Sequence, residues 1–171
     1  TELVFTGKDS NGKDITLSGV LPEDYVFEKE IEGTWTLTFG NPVQELDVQL
    51  VKSGNGEFVM KGINPKFEPV IHYRKTLGCL EMNSQAVGAN GSNVVWLCAW
   101  DTNSGSLTWA EEAGMYIKKD VNESNESTLT MKWVDSGNYD GLTMTSFILW
   151  QLTSAGATAG AFTSSSWYFT N

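Results

Sequence analysis

Threonine and apolar residues alternate strictly over residues 34–39, Thr-Trp-Thr-Leu-Thr-Phe, and this period of two constrains the fold more than any other feature. Successive side chains of a strand point to opposite faces, so Trp35, Leu37 and Phe39 share one face and the threonines share the other. Residues 45–50 repeat the pattern with Leu46, Val48 and Leu50 inward. Residues 128–133 repeat it with Leu129, Met131 and Trp133 inward. Strands with one buried and one wet face belong to antiparallel sheets. Apolar residues at helical spacing are hard to find.

Turn residues punctuate these runs. Asn11-Gly12 is expected to join strands at 3–6 and 15–20, and Asn55-Gly56 to join strands at 45–52 and 57–62. Both dipeptides suit a type I′ turn, whose two central residues need positive φ. Residues 103–105 turn a strand at 94–100 into one at 107–110, while Gly40-Asn41-Pro42 and Asn64-Pro65 close others. Further strands are expected at 70–74, 79–83, 115–118, 143–152 and 166–169.

About ten to thirteen short strands joined by hairpins imply an all-β sandwich or barrel. Closure removes the exposed edges that invite aggregation, which favours an antiparallel meander closing into a β-barrel; a two-sheet β-sandwich is the alternative. A chain of 171 residues suits one domain. Within 1–171, residues 1–30 are expected to form a capping hairpin and connector, and residues 31–171 the barrel. The charged stretch 22–32 has Pro22 placed to open a helical turn, though a plain connector fits equally.

Charge narrows the partners. Eleven basic residues face 21 acidic ones, for a formal net charge of −10. Nucleic-acid affinity comes largely from Lys and Arg neutralising phosphates, so a nucleic-acid partner is disfavoured. An anionic membrane surface is disfavoured for the same reason. No apolar run approaches the ~20 residues of a spanning helix.

The Gly33-Thr34-Trp35 triplet opens the clearest strand. A Gly-x-Trp at the start of the first barrel strand resembles the signature of the lipocalins. From Ile31 onward the order of features resembles the lipocalin-like domains of bacterial surface lipoproteins: the Gly-Thr-Trp start, the Asn-Gly hairpin after the second strand, and a late strand followed by a terminal aromatic one. The resemblance implies an eight-stranded up-and-down barrel with Trp35 closing one end and a small apolar molecule inside. It also implies an extracytoplasmic location, in the periplasm or at the cell surface, with a lipid anchor on a removed leader.

Candidate sites follow from the aromatics. The chain has seven Trp, each able to stack on a sugar ring, line an apolar pocket or simply fill the core. Trp35, Trp96, Trp100, Trp133 and Trp150 are the candidate ligand-binding residues. Trp96 and Trp100 share a face with Cys98, and Ile148 with Trp150 are the candidates for an exposed patch. Cys79 and Cys98 flank residues 85–93; if that stretch is a turn they lie opposite one another, within adjustable reach of a disulfide. Two buried free thiols are the other reading.

No catalytic constellation is expected. His72 is the single histidine, and no nucleophile elbow or zinc-protease motif is present. Asp101, Glu111 and Glu112 come closest to the facing carboxylates that a glycosidase needs. Residues 135–141 carry alternating oxygen side chains without the bidentate Glu of a calcium loop, so no metal or other cofactor is expected. The expected function is a non-catalytic module holding a small apolar or amphiphilic molecule in the barrel. The alternatives are a carbohydrate-binding or protein-interaction domain using exposed aromatics, and a hydrolase. An unfilled interior would mark the first, and a filled interior with an external aromatic face the second.

Overall fold

A computed structural model describes residues 2–39, 43–64 and 66–162. The turn expected at Gly40-Asn41-Pro42, Pro65, the strand expected at 166–169 and Trp167 lie outside the described residues. In chain order the strands are β1 (Glu2–Lys8), β2 (Asp14–Val20), β3 (Gly33–Phe39), β4 (Gln44–Gly54), β5 (Glu57–Lys61), β6 (Val70–Arg74), β7 (Cys79–Asn83), β8 (Gln85–Asn90), β9 (Asn93–Asp101), β10 (Ser106–Thr108), β11 (Gly114–Val121), β12 (Ser127–Trp133), β13 (Asn138–Tyr139), β14 (Leu142–Thr143), β15 (Ser146–Leu152) and β16 (Thr158–Ala161). Helical turns are confined to single 3-10 turns at Glu28–Glu30 and Val134–Gly137 among the described residues.

The chain is all-β and closes into a barrel of seven strands, in the order β11-β12-β3-β4-β5-β6-β7. In general architecture this is lipocalin-like, with seven strands where the resemblance implied eight. The odd number has a consequence. In an up-and-down ring, an odd count makes the first and last strands run the same way. The barrel therefore closes with a parallel pair, Leu37 beside Leu129 and Thr38 beside Thr130, while its other pairings are antiparallel. The Thr38 and Thr130 hydroxyls reinforce this seam at 2.8 Å, and the Thr38 hydroxyl donates to the Leu129 carbonyl at 3.3 Å.

The inward residues are the ones that alternation predicts. Leu37, Leu50, Phe58, Met60, Ile71 and Met82 are completely buried, with Val48, Leu80, Met115, Ile117 and Leu129 nearly so. They fill the interior as small barrels generally do. A cavity of about 10 Å³ is left between Trp35, Leu80, Ile117 and Leu129, room for about one water.

The barrel strands lie within 33–83 and 114–133 rather than across the whole of 31–171. After β7 the chain leaves the ring. Strands β8, β9, β10, β15 and β16 form a second, five-stranded sheet. Residues 85–90, expected as part of a turn, pair with β9. One face of this sheet lies against the barrel: Val95, Leu97, Ala99, Phe147 and Leu149 are fully buried, and the Phe147 ring stacks on Trp133 at 4.9 Å. Ser84 splices the two sheets. Its hydroxyl accepts from the Ala99 amide at 3.1 Å and donates to the Thr108 carbonyl at 3.2 Å. A single buried cluster runs through both.

The connector, not the N-terminal hairpin, seals the barrel end. Val26 and Ile31 are buried there. The Val26 amide donates to the Gly78 carbonyl at 2.8 Å, the Tyr73 hydroxyl donates to the Val26 carbonyl at 2.8 Å, and the Tyr25 hydroxyl donates to the Lys75 carbonyl at 2.8 Å. The β1–β2 hairpin pairs only with itself among the described residues, with Phe5 63%, Leu17 64% and Val20 79% exposed. Neither Asn-Gly turn is type I′. Gly12 (φ 78°) and Gly56 (φ 70°) take positive φ, while Asn11 and Asn55 do not. At the first, the Asp9 carboxylate accepts from both the Asn11 and Lys13 amides at 2.9 Å, which organises a longer loop.

Gly78 carries two constraints at once: φ is +61°, and an added Cβ would collide with the Tyr25 ring. Gly78→Ala is expected to destabilise the domain by about 2 kcal/mol or more through strain and displacement of the plug. Urea unfolding followed by Trp fluorescence checks this; an unchanged midpoint would contradict the sealing role.

Candidate functional site

A polar cleft lies on the outer wall of the barrel, where β6 and β7 meet the second sheet and the loop before β11. The cleft measures about 550 Å³ and gathers the chain's single Arg and single His with Glu81, Asn83, Trp96, Glu111 and Glu112. The strand register explains the gathering. His72 and Arg74 alternate outward on β6, Glu81 and Asn83 outward on β7, and the pairings set His72 opposite Glu81 and Asn83 opposite Gly114.

Glu81 organises the wall. Its side chain is 8% exposed, and burying an unpaired carboxylate would be costly. Both oxygens are satisfied: Arg74 Nε donates to Oε2 in a close ion pair, and Asn83 Nδ2 donates to Oε1 at 2.8 Å. The carboxylate in turn raises the pKa of Arg74, so the guanidinium stays charged. Arg74 is engaged through Nε alone. Its two Nη groups, on a side chain 53% exposed, have no partner among the described residues and are free to donate into the cleft.

The opposite lip is the loop between β10 and β11. Asn83 Nδ2 also donates to the Glu111 carbonyl, at 2.6 Å. Glu111 and Glu112 line the cleft with carboxylates that bind no other side chain among the described residues. Trp96 supplies an aromatic surface. Gln85 closes the base: its amide takes both ends of the Val70 peptide, accepting from N at 2.7 Å and donating to O at 2.9 Å. Among the described residues no group of three His, Cys, Asp or Glu side chains is placed to hold a metal ion.

The candidate tryptophans separate. Trp96 lines the cleft. Trp150 sits directly across from it on β15, and Trp100 opposite Ser146 on the same face, both half-buried. Trp35 and Trp133 are barrel residues. Trp35 donates its indole N–H to the Ile31 carbonyl at 2.8 Å and closes one end, and Trp133 is 7% exposed under Phe147. Ile148, expected in an exposed patch, is 5% exposed. Asp101 is withdrawn from the carboxylate group suggested by the sequence. It accepts from the Ser104 hydroxyl at 2.8 Å and the Asn103 amide at 2.9 Å, which hold it below the usual carboxylate range and fix the turn after β9. Arg74, Glu81 and Asn83 had no signal of their own in the sequence, where they read as ordinary wet-face residues.

Cys79 and Cys98 are not joined. Both are buried free thiols, Cys79 opposite Arg74 in the barrel and Cys98 opposite Ile148 in the second sheet. The disulfide reading assumed a turn between them, and β8 occupies that place; the alternative of two buried free thiols is the arrangement found. Burial pushes the Cys98 thiol up to about 12 and raises Cys79 as well. A thiolate is the reactive form, so neither thiol is expected to react with an aromatic disulfide reagent near neutral pH in the native protein. Both should titrate in denaturant without reductant; fewer than two thiols would contradict this arrangement.

The architecture defines an all-β protein built on a closed, lipocalin-like barrel in general terms, and no helix among the described residues is long and apolar enough to cross a membrane. Residues 8–150 match the family model DUF4987, a domain of unknown function, and the chain belongs to that family. No curated protein and no solved structure matches the chain.

Proposed function

We propose that this domain is a non-catalytic, extracytoplasmic module that binds a glycan in the cleft on the barrel wall. The observation that carries the reading is the state of Arg74. Its guanidinium is fixed through Nε to a buried carboxylate while its two Nη groups have no partner among the described residues and the half-exposed side chain lines an open, polar cleft. Donors on one lip, the acceptor carboxylates of Glu111 and Glu112 on the other, and the half-buried Trp96 ring lining the cleft form the mixture that a polyhydroxylated ring requires: donors, acceptors and an apolar face.

Two further observations favour this reading over the others. The barrel interior is filled by side chains with a cavity of about 10 Å³ beside Trp35, which favours the barrel as a scaffold over the barrel as a container. Glu81 has both oxygens committed, to Arg74 and Asn83, which suits a positioning role better than proton transfer. The net charge of −10 favours a neutral glycan over an anionic one.

Affinity electrophoresis through gels containing a panel of neutral polysaccharides tests the reading. At least one should retard the wild-type domain. Arg74→Ala, which removes charge-assisted hydrogen bonds, should weaken that retention by about tenfold or more. Retention by none of the panel, or equal retention of Arg74→Ala, would overturn it.

A further inference from the structure

We propose that Asn83 is the positioning residue of the cleft, a latch that holds the loop carrying Glu111 and Glu112 at a fixed distance from the Arg74–Glu81 wall. The inference rests on the glycan reading for its ligand but on geometry for the latch. The two hydrogens of one amide nitrogen serve two elements. One goes to Glu81 Oε1 at 2.8 Å on Asn83's own strand, the other to the Glu111 carbonyl at 2.6 Å on the opposite lip. Both partners are pure acceptors, so only the NH₂ end of the amide can face them, and the orientation of Asn83 follows from the chemistry. Aspartate, of the same shape, would instead set a carboxylate against a carboxylate and a carbonyl.

The local backbone is built around this reach. Gly114 lies opposite Asn83 in the register between β7 and β11, and a Cβ there would come within 2.8 Å of Asn83 Nδ2 and of the Met82 carbonyl. A side chain at 114 would therefore push the amide out of its path to Glu111. The loop between β10 and β11 has some bonds of its own, from the Ala113 amide to the Ala110 carbonyl at 3.1 Å and from the Ala110 amide to the Thr108 hydroxyl at 3.1 Å. These order the loop internally. The Ser84 hydroxyl holds the two ends of the loop, reaching the Thr108 carbonyl at 3.2 Å and the Ala113 carbonyl at 3.5 Å, and Asn83 alone ties its acidic segment to the wall that holds Arg74 among the described residues. A ligand that touches both lips reads the distance that Asn83 maintains.

Two measurements test the latch separately from the ligand. In the free domain, amide hydrogen exchange of the peptide covering residues 109–113 should speed up by about tenfold in Asn83→Ala and by more in Asn83→Asp, with the barrel strands unchanged. Unchanged exchange in this peptide in both variants would overturn the proposal. The second is a double-mutant cycle on polysaccharide gels. Glu112→Gln should weaken retention in the wild-type background and add little in the Asn83→Ala background, because the loop is then no longer held at the wall. Fully additive losses would also overturn it, since a merely structural Asn83 would leave the Glu112 contact intact. A wild-type domain retained by no polysaccharide, with the exchange change present, would defeat the glycan reading and leave the latch standing.

Discussion

An odd ring of strands cannot close antiparallel all the way round, and this barrel of seven strands closes through one parallel pair. The seam between β3 and β12 is parallel, with two residue pairs in register and a threonine contact across it. These two are the first and last strands of the ring in chain order, so no direct connection joins them. Between β7 and β11, which pair antiparallel, the chain leaves the ring at Ser84 and returns at Gly114. Strands β8, β9 and β10 of this excursion join β15 and β16, from after the barrel, in one five-stranded sheet that is buried on one face and continuous with the barrel core.

The cleft exists because of this departure. At the splice, β7 and β8 part, and the side chains of the outer barrel wall meet a loop that a simple meander would not have placed there. Polar groups at such a junction must be satisfied or wetted. Gln85 and Ser84 satisfy backbone groups, Glu81 is neutralised by Arg74, and the unspent capacity of Arg74, Glu111 and Glu112 faces the open space. A filled barrel and a wet external cleft are thus two sides of one arrangement. The interior is committed to stability, and the unpaired polar capacity gathers at the junction.

The period-two alternation reads directly onto the barrel wall. Leu37, Val48, Leu50, Leu129 and Met131 point inward as their parity requires, and the strands at 70–74 and 79–83 begin and end where expected. Parity says nothing about which strand lies beside which, so the parallel seam and the second sheet were invisible. Residues 85–90 read as loop because their small and polar side chains resemble turn chemistry, yet β9 pairs with them through its backbone. The candidate site was legible only in Trp96, Glu111 and Glu112. Glu81, between Leu80 and Met82, and Asn83 after it sit in the usual wet positions of a strand. Their burial and pairing come from elements distant in sequence, which no local pattern encodes. Trp35 and Trp133 went the other way: large aromatic area was spent on closing and filling the barrel.

The central claim is that the barrel interior is full and takes no ligand. Methyl-resolved NMR of Ile71 and Ile117, both interior residues, tests it most directly when a long-chain fatty acid is titrated into the native domain. The account predicts that both methyl signals stay in place throughout the titration. Saturable shifts of these methyls at one fatty acid per chain would show a cavity that opens to hold it, and would contradict the account.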